Sequence, residues 1–445
     1  MSLYFGTDGV RNFVGDQGLT PEFALKLGWA AGKAFSEQGK NVVLIGKDTR
    51  ISGYMLESAM EAGLAAAGMD VRLLGPIPTP GIAYLTRTFH AAAGVVISAS
   101  HNPYYDNGIK FFSDEGMKLN DEFQSSIERY IDEPMSLVAS EKIGRVKRLE
   151  GGRDRYVEFC KASIPWQFDL KGMKIVVDTA NGSCYNTSPL VFEELAADVI
   201  SIGNTPNGYN INEQCGSTYP DEIQHAVKAH QADIGIALDG DGDRVIMIDE
   251  KGEIIDGDEM LCIIAKDRMD TNQHALGVAG TLMTNLGAEQ ALKAMGYQFV
   301  RTNVGDRYVM EALLENDWHL GGEGSGHIVC LDKTTTGDGT IAALQVLAAM
   351  RRQGKTLHEL KQVMTKIPQV LINVPVKARI QPEQKADIQA LSEAASEKLG
   401  DDGRMLIRPS GTEPVIRVMV EHRSAKQAQQ EAQAMADQIA ERYAS

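Results

Sequence analysis

The stretch VVISASHNPYYDNGIK, residues 95–110, passes within a few residues from an apolar run to a crowded polar loop. Its first residues are β-branched and apolar, which predicts a buried strand. Hydroxyl, imidazole and amide side chains follow at once: Ser98, Ser100, His101 and Asn102. Such a loop is either an ordinary capped turn or a place where a serine is presented for chemistry. The stretch alone leaves both interpretations open.

Three other segments repeat one pattern, in which a Val- and Ile-rich run leads into a polar loop and then into apolar residues at helical spacing. The runs are NVVLIGKDTR (41–50), MKIVVDTANG (173–182) and HALGVAGTLMTN (274–285). Alternating strands and helices are typical of α/β proteins with parallel or mixed sheets. We therefore predict an α/β protein with three related mixed-sheet α/β domains.

The last part of the chain follows a different pattern. QVLINVPVKA (369–378) and RMLIRPSGTEPVIRVMVEHR (404–423) have the composition of strands, and a helical pattern begins after Ser424, a plausible N-cap. This predicts a smaller C-terminal α+β domain. The predicted domain boundaries are 1–150, 151–250, 251–367 and 368–445, and the polar segment 133–159 connects the first domain to the second.

The composition restricts the partners and the compartment. The 445-residue chain has a formal net charge of -16, which disfavours nucleic acid and anionic membranes as partners. Its five cysteines are scattered and form no CxxC pair, which is typical of a reducing compartment. No signal-like segment and no apolar run near the about 20 residues of a membrane span is present, so we predict a cytoplasmic protein.

The segment ALDGDGDRVIMID, residues 237–249, concentrates negative charge at Asp239, Asp241 and Asp243. Three carboxylates so close repel one another unless a cation lies between them, and hard oxygen ligands suit Mg²⁺ or Ca²⁺. An EF-hand loop is one alternative, with Glu250 at its twelfth position. Arg244 at the sixth position and the strand-like flanks oppose it. The other alternative is an acidic hairpin turn without a metal, and the charge density favours the metal site.

Two glycine-bearing loops carry groups suited to phosphate and to sugar. In IRPSGTEPVIR (407–417), the backbone of Ser410, Gly411 and Thr412 can surround an anion, and Arg408 and Arg417 match phosphate oxygens. A plain turn between strands is the alternative. In GGEGSGHIVC (321–330), the side chains that suit sugar hydroxyls are Glu323, Ser325 and His327. A glycine-rich connector is the alternative there, and His327 alone would more often serve packing.

Single charges elsewhere carry less information. Arg11 stands in FGTDGVRN, and Lys47 and Arg50 stand in GKDTRISG after a predicted strand; any of them fits a solvated surface. Ser100 lacks a G-x-S-x-G elbow, and His101 as its immediate neighbour is poorly placed to accept its proton, so a hydrolase nucleophile is disfavoured. A serine that accepts a phosphoryl group with help from a metal agrees better with the aspartate cluster and Lys110.

Together the motifs resemble the α-D-phosphohexomutase superfamily over nearly the whole chain. They occur in the order FGTDGVR, GKDTRISG, ISASHNPYYDNGIKFF, DGDGDR, VGDRYV, GEGSGH and RPSGTEP. The resemblance implies four domains around a central cleft and an isomerase that moves phosphate between O1 and O6 of a hexose through a 1,6-bisphosphate. SASHNPYYDNGIKFF and LDKTTTGDG favour glucosamine phosphate, whose product feeds UDP-N-acetylglucosamine and cell-wall synthesis. Mannose and glucose phosphates are the alternative substrates.

The resemblance also implies residue roles. Ser100 becomes the phosphoserine and, with Asp239, Asp241 and Asp243, holds one Mg²⁺. Arg244, Glu323, Ser325 and His327 bind the sugar, and the loop around Ser410 grips the distal phosphate. Proton transfer is left open among Arg11, His101 and Lys110, and a homodimer is left open as well. Gly324 and Asn12 depart from the family's common Asn and Gly. A metal-dependent phosphatase and a non-catalytic sugar-phosphate sensor are alternatives of other classes.

Overall fold

The computed structural model describes residues 4–443 apart from residues 7, 38, 274–275, 377–381 and 410–413. Its first sheet has the strand order β1-β5-β4-β2-β3-β6, in which β4, β2, β3 and β6 run parallel and β5 and β1 are antiparallel to their neighbours. Its elements are β1 (Val10–Phe13), α1 (Pro21–Ser36), β2 (Val42–Lys47), α2 (Ile51–Ala66), β3 (Asp70–Pro76), α3 (Thr79–Thr88), β4 (Ala93–Ile97), β5 (Asp106–Ser113), α4 (Asp121–Ile131) and β6 (Val146–Arg148).

The second sheet has the order β11-β10-β9-β7-β8 and the third the order β13-β12-β14-β15. The second set of elements is α5 (Gly152–Lys161), β7 (Lys174–Asp178), α6 (Ser188–Glu194), β8 (Asp198–Ile202), α7 (Asp221–His230), β9 (Ile234–Leu238), β10 (Val245–Asp249) and β11 (Ile254–Ile255). The third set is α8 (Gly257–Asp270), β12 (Gly277–Thr281), α9 (Leu286–Ala294), β13 (Gln298–Thr302), α10 (Asp306–Asn316), β14 (Leu320–Gly322), β15 (Ile328–Cys330), α11 (Gly339–Gln353) and α12 (Leu357–Leu360).

The C-terminal sheet is antiparallel, with the order β16-β18-β17. Its elements are β16 (Gln369–Pro375), α13 (Pro382–Leu399), β17 (Gly403–Pro409), β18 (Val415–His422) and α14 (Ala425–Tyr443). Short 3₁₀ turns lie at Ser140–Lys142, Lys361–Val363 and Gly400–Asp402. The predicted class, three mixed-sheet α/β domains and a smaller C-terminal domain, is confirmed. The exact domain boundaries stay a prediction.

The central strands are buried on both faces, which explains their continuous Val and Ile runs. In β4, Val95 and Ile97 pack into a cluster with α1 and α2, while Val96 packs into a different cluster. That second cluster continues through Val177 of β7 and Leu320 of β14, so the first three sheets share one apolar core. The C-terminal sheet packs on a separate cluster.

Four of the motif-bearing loops each connect two antiparallel strands of one sheet. The connections are β4–β5, β9–β10, β14–β15 and β17–β18. Strands rather than helices therefore flank the DGDGD segment, and the EF-hand alternative is wrong. The segment 133–159 does more than connect, because β6 lies within it and pairs with β3. No helix among the described residues is both long and apolar enough to cross a membrane.

Candidate active site

Ser100 lies one turn beyond β4 in a backbone conformation that costs energy. Its φ of 53° is in the left-handed region, which costs a residue other than glycine about 1–3 kcal/mol. Two buried side chains hold the loop in place. Arg50 donates to the carbonyl oxygens of Ser100, at 3.1 Å, and of Asn102, and Asn212 Nδ2 donates to the same two oxygens at 2.9 and 3.0 Å. The loop is thus fixed from both the first and the second domain.

The prediction that Lys47 and Arg50 lie on a solvated surface is wrong. Arg50 is fully buried and forms an ion pair with Asp48, and Lys47 is buried against Glu57. Each cation is paired with a carboxylate close to it in the chain, so burial does not leave either charge unpaired. GKDTRISG therefore supports the serine loop from within the protein.

The hydroxyl of Ser100 points at the aspartate cluster. Ser100 Oγ donates to Asp239 Oδ2 at 2.6 Å and lies 3.3 Å from His101 Nδ1. His101 thus lies near Ser100, but the hydroxyl donates to Asp239, and the expectation that His101 is poorly placed to accept its proton stays a prediction. Burial, and then the guanidinium groups of Arg244 and Arg11, lower the pKa of His101 to about 4. Arg244 Nη1 lies 3.0 Å from His101 Nδ1, and a guanidinium can only donate there.

The three aspartates are buried and only partly satisfied. Asp239 accepts hydrogen bonds from the backbone N–H groups of Gly242 and Arg244, and Asp241 Oδ2 accepts from Thr79 Oγ1 at 2.8 Å. Oδ1 of Asp241 and Oδ1 of Asp243 have no hydrogen-bond partner among the described residues. Burial and the neighbouring carboxylates raise the pKa of both Asp239 and Asp243.

These residues fit a divalent cation. Each aspartate offers one oxygen, and the three oxygens lie within 4.8 Å of one another. The two unsatisfied buried oxygens supply hard ligand atoms, and a cation between them would offset the repulsion that burial strengthens. The predicted metal site therefore has the donor set that it needs.

Lys110 supplies the resident positive charge. It lies in β5, and its Nζ is 3.0 Å from Asp8 Oδ2, 3.1 Å from Asp241 Oδ2 and 3.9 Å from Asp243 Oδ2. Burial alone would lower the pKa of Lys110, but the three carboxylates together raise it above its ordinary value. Lys110 is therefore a fixed cation beside the serine and the aspartates.

A cavity of about 530 Å³ opens beside Asp243 and gathers several of the predicted sugar-site residues. Its wall includes Arg11, Arg244, Glu323 and His327. Ser325 Oγ donates to Glu323 Oε2 at 3.1 Å, and the backbone N–H of Gly305 donates to Glu323 Oε1 at 2.9 Å. Both ring nitrogens of the buried His327 lack a hydrogen-bond partner among the described residues.

The predicted phosphate loop is described only in part. Ser410, Gly411 and Thr412 lie outside the described residues. Arg408 and Arg417 stand directly opposite each other on β17 and β18. Burial and the charge of Arg417 lower the pKa of Arg408, and like charges opposite each other in a sheet are destabilising. An anion between them would remove that cost.

Several residues at the site were missed from the sequence. Asp8 and Asp306 stand in FGTDGVR and VGDRYV, two quoted motifs whose acidic residues received no role. Lys118 and Thr79 stand in no motif, and only the structure brings them to Asp8 and Asp241. No sequence pattern pointed to Asn212 either, because it holds the Ser100 loop through a contact between two domains.

Comparison with known proteins agrees with this geometry. Four parts of the chain match the phosphoglucomutase/phosphomannomutase family: domain I at residues 2–137, domain II at 154–252, domain III at 256–367 and the C-terminal domain at 371–438. Among solved structures, a family protein from Burkholderia thailandensis has a TM-score of 0.79 at 23% identity, covering 97% of both chains. Aspergillus fumigatus N-acetylphosphoglucosamine mutase has a TM-score of 0.71 at 18% identity, covering 98% of this chain and 95% of the other. These two likenesses show the fold.

The four matched domains define the chain as a phosphohexomutase, which confirms the resemblance. The phosphoglucosamine mutase of Hahella chejuensis is 59% identical over 94% of each chain. That of Pseudomonas entomophila is 57% identical over 98% of each chain. The chain therefore belongs to the phosphoglucosamine mutase family, a family of isomerases.

The contact between the serine loop and the aspartate loop gives a first prediction. A Cβ on Gly240 would lie 2.6 Å from the Ser100 carbonyl oxygen and 2.9 Å from Asn212 Nδ2. Gly240→Ala should therefore push the loops apart and lower kcat of the mutase reaction about 10- to 100-fold, because small displacements of reacting groups are costly. Gly152→Ala is the control, since its Cβ would meet only side-chain atoms, at 3.2 Å or more. Equal kcat values for the two variants would contradict this account.

Proposed function

We propose that the chain interconverts glucosamine 1-phosphate and glucosamine 6-phosphate through a phosphoserine at Ser100 and a 1,6-bisphosphate intermediate. The observation that carries the proposal is the buried Ser100 hydroxyl, 2.6 Å from Asp239 in a cluster of three carboxylates. The family of the chain supports the substrate, because the relatives at 55–59% identity are phosphoglucosamine mutases.

The cluster supports a metal-assisted phosphoryl transfer. We assign Asp239, Asp241, Asp243 and an oxygen on Ser100 as the ligands of one Mg²⁺, which when bound would neutralise charge on the transferred phosphoryl group. Phosphoryl transfer has a loose transition state with charge on the equatorial oxygens, so positioning and electrostatics dominate its rate. Lys110 and Arg11 add positive charge from the first domain on the same side.

The reaction proceeds in two transfers. In the first, the bond from phosphorus to Ser100 Oγ breaks as a bond to O6 of glucosamine 1-phosphate forms, and the O6 proton passes, directly or through a side chain, to Ser100 Oγ. The bisphosphate then turns end for end in the cleft. In the second, the bond from phosphorus to O1 breaks as a bond to Ser100 Oγ forms, and the proton of the Ser100 hydroxyl passes to O1. Proton transfer by Arg11, His101 or Lys110 stays a prediction.

The other loops hold the substrate by chemistry that matches its parts. Glu323 accepts hydrogen bonds from the sugar hydroxyls, and Ser325 can donate or accept one. Arg244 and His327 line the same cavity as Glu323. Arg408 and Arg417, with the loop that contains Ser410, Gly411 and Thr412, bind the phosphate that is not being transferred. The homodimer stays open, and the cytoplasmic location stays a prediction.

Ser100→Ala should abolish turnover while the fold is kept, because only a hydroxyl oxygen is removed. The wild type should carry a phosphate-sized mass increment after incubation with glucose 1,6-bisphosphate, and the variant should carry none. Ser98→Ala is the control: Ser98 Oγ accepts a hydrogen bond from the Ser100 backbone and bonds to Asp48, so this variant loses a hydroxyl of the same loop and should still carry the mass increment. Substantial mutase activity in Ser100→Ala would refute the assignment. Parallel kcat/KM values for glucosamine, glucose and mannose 1-phosphates distinguish the alternative substrates. Release of inorganic phosphate in place of an isomer would select the phosphatase alternative.

Asp241→Asn should weaken Mg²⁺ binding and lower kcat by at least about 100-fold, because it removes a charged ligand and keeps the volume. Isothermal titration with Mg²⁺ measures the binding directly, apart from turnover. Asp198→Asn, an exposed change at the start of β8, is the control and should match the wild type. Normal Mg²⁺ affinity in Asp241→Asn would show that the metal assignment is wrong.

Arg417→Ala should raise KM for glucosamine 1-phosphate about 10- to 100-fold, since a hydrogen bond between charged groups contributes about 1.5–3 kcal/mol. Transfer of phosphate to Ser100 should change less than KM does. Arg423→Ala, an exposed change just beyond β18, is the matched control. An unchanged KM in Arg417→Ala would argue against the distal phosphate site.

A further inference from the structure

The turn that contains Asp8 lies against the strand that carries Lys110. The backbone N–H of Gly6 donates to the carbonyl oxygen of Gly9 at 2.8 Å and closes the turn. Gly9 has a φ of 79°, and a Cβ there would lie 2.4 Å from the Ile109 carbonyl oxygen and 3.1 Å from Lys110 Cα. The turn therefore has a fixed place beside β5, and its carboxylate faces the cations of the site.

Asp8 contacts three cations at once. Its Oδ2 lies 3.0 Å from Arg11 Nη2 and 3.0 Å from Lys110 Nζ, and its Oδ1 lies 2.5 Å from Lys118 Nζ. Two of these cations, Arg11 and Lys110, are the ones assigned to the transferred phosphoryl group. One carboxylate thus sets the distance between two positive groups that would otherwise repel each other.

The third cation carries the contact into the third domain. Lys118 Nζ is also 2.5 Å from Asp306 Oδ2, at the first residue of α10. The residue before it, Gly305, donates its backbone N–H to Glu323, the assigned sugar-binding carboxylate. A continuous path therefore runs from Glu323 to the backbone of Gly305, along the chain to Asp306, and through Lys118 and Asp8 to the cations beside Ser100.

We infer that Asp8 is a positioning residue for phosphoryl transfer, and that Lys118 and Asp306 make its position depend on the docking of α10 against the first domain. The inference rests on the proposed function for the roles of Arg11, Lys110 and Glu323. Asp8 itself is not assigned to the substrate or to the metal. Binding of a sugar at Glu323 thereby stabilises the arrangement in which both cations face the phosphoryl group.

The test begins with Asp8→Asn, which removes the charge and keeps the shape. We expect kcat to fall about 10- to 100-fold, because the cations lose their common anchor, while KM for glucosamine 1-phosphate changes less than about threefold. Asp8→Glu should recover part of the loss. Lys118→Met and Asp306→Asn should each lower kcat, as Asp8→Asn does. Adding Lys118→Met to Asp8→Asn should cost little more, because both changes break one network.

Asp121→Asn is the matched control. Asp121 of α4 forms an ion pair with Arg307 of α10 at 2.6 Å, so it joins the same two domains without contacting Asp8. It should leave kcat unchanged. A fall in Asp121→Asn equal to that in Asp306→Asn would overturn the inference, because general loosening of the interface would then suffice. Additive losses from Asp8→Asn and Lys118→Met would overturn it as well.

A second measurement separates this inference from the proposed function. The rate at which glucose 1,6-bisphosphate phosphorylates Ser100, followed by intact mass, does not depend on which hexose is the natural substrate. Slower loading in Asp8→Asn supports the inference even if glucosamine 1-phosphate is not turned over. Normal loading and normal kcat in Asp8→Asn overturn it while the proposed function stands. If Asp8→Asn does not fold, Asp306→Asn carries the test, and unchanged loading there overturns the inference.

Discussion

The structure depends on the cost of burying Asp239, Asp241 and Asp243 within one short loop. Three carboxylates out of contact with water require compensating positive charge, since their repulsion grows as the effective dielectric constant falls. Lys110 supplies part of that positive charge at 3.1 Å from Asp241. A cation bound by the two unsatisfied oxygens would supply the remainder. Lys110 belongs to the first sheet and the aspartates to the second. The charge requirement therefore holds two domains together at the point where Ser100 emerges.

The apolar core makes this arrangement durable. Val96, Val177 and Leu320 belong to one cluster that spans the first three sheets. Because that cluster is shared, the serine, aspartate and sugar loops cannot separate without exposing apolar surface to water. The C-terminal sheet has its own cluster and meets the third domain through polar contacts. Arg404 donates to the carbonyl oxygens of Leu282 and Thr284, and the Leu286 N–H donates to Glu421.

Much of this could be predicted from the sequence where the signal is local. β4 and β9 are continuous apolar runs, and the aspartate triplet places three carboxylates within five residues. β6 was missed because it is only three residues long, all three are exposed and two of them are charged. The buried state of Arg50 was missed because, apart from Asp48, its partners are backbone carbonyls of a loop 50 residues away in the chain. The pair Asp8 and Lys118 spans 110 residues, and spacing along the chain does not specify such distances.

The contrast between the two interfaces matters for the proposed reaction. A bisphosphate that turns end for end must leave one set of cations and meet the other without leaving the cleft. The cations beside Ser100 are fixed by Asp8 and by a shared apolar core. The arginine pair at the other end, Arg408 and Arg417, lies on a sheet that meets its neighbour through hydrogen bonds, and such interfaces rearrange at lower cost than apolar ones. We therefore expect the chemistry at the end held by the shared apolar core, and the movement that releases and recaptures the distal phosphate at the C-terminal domain.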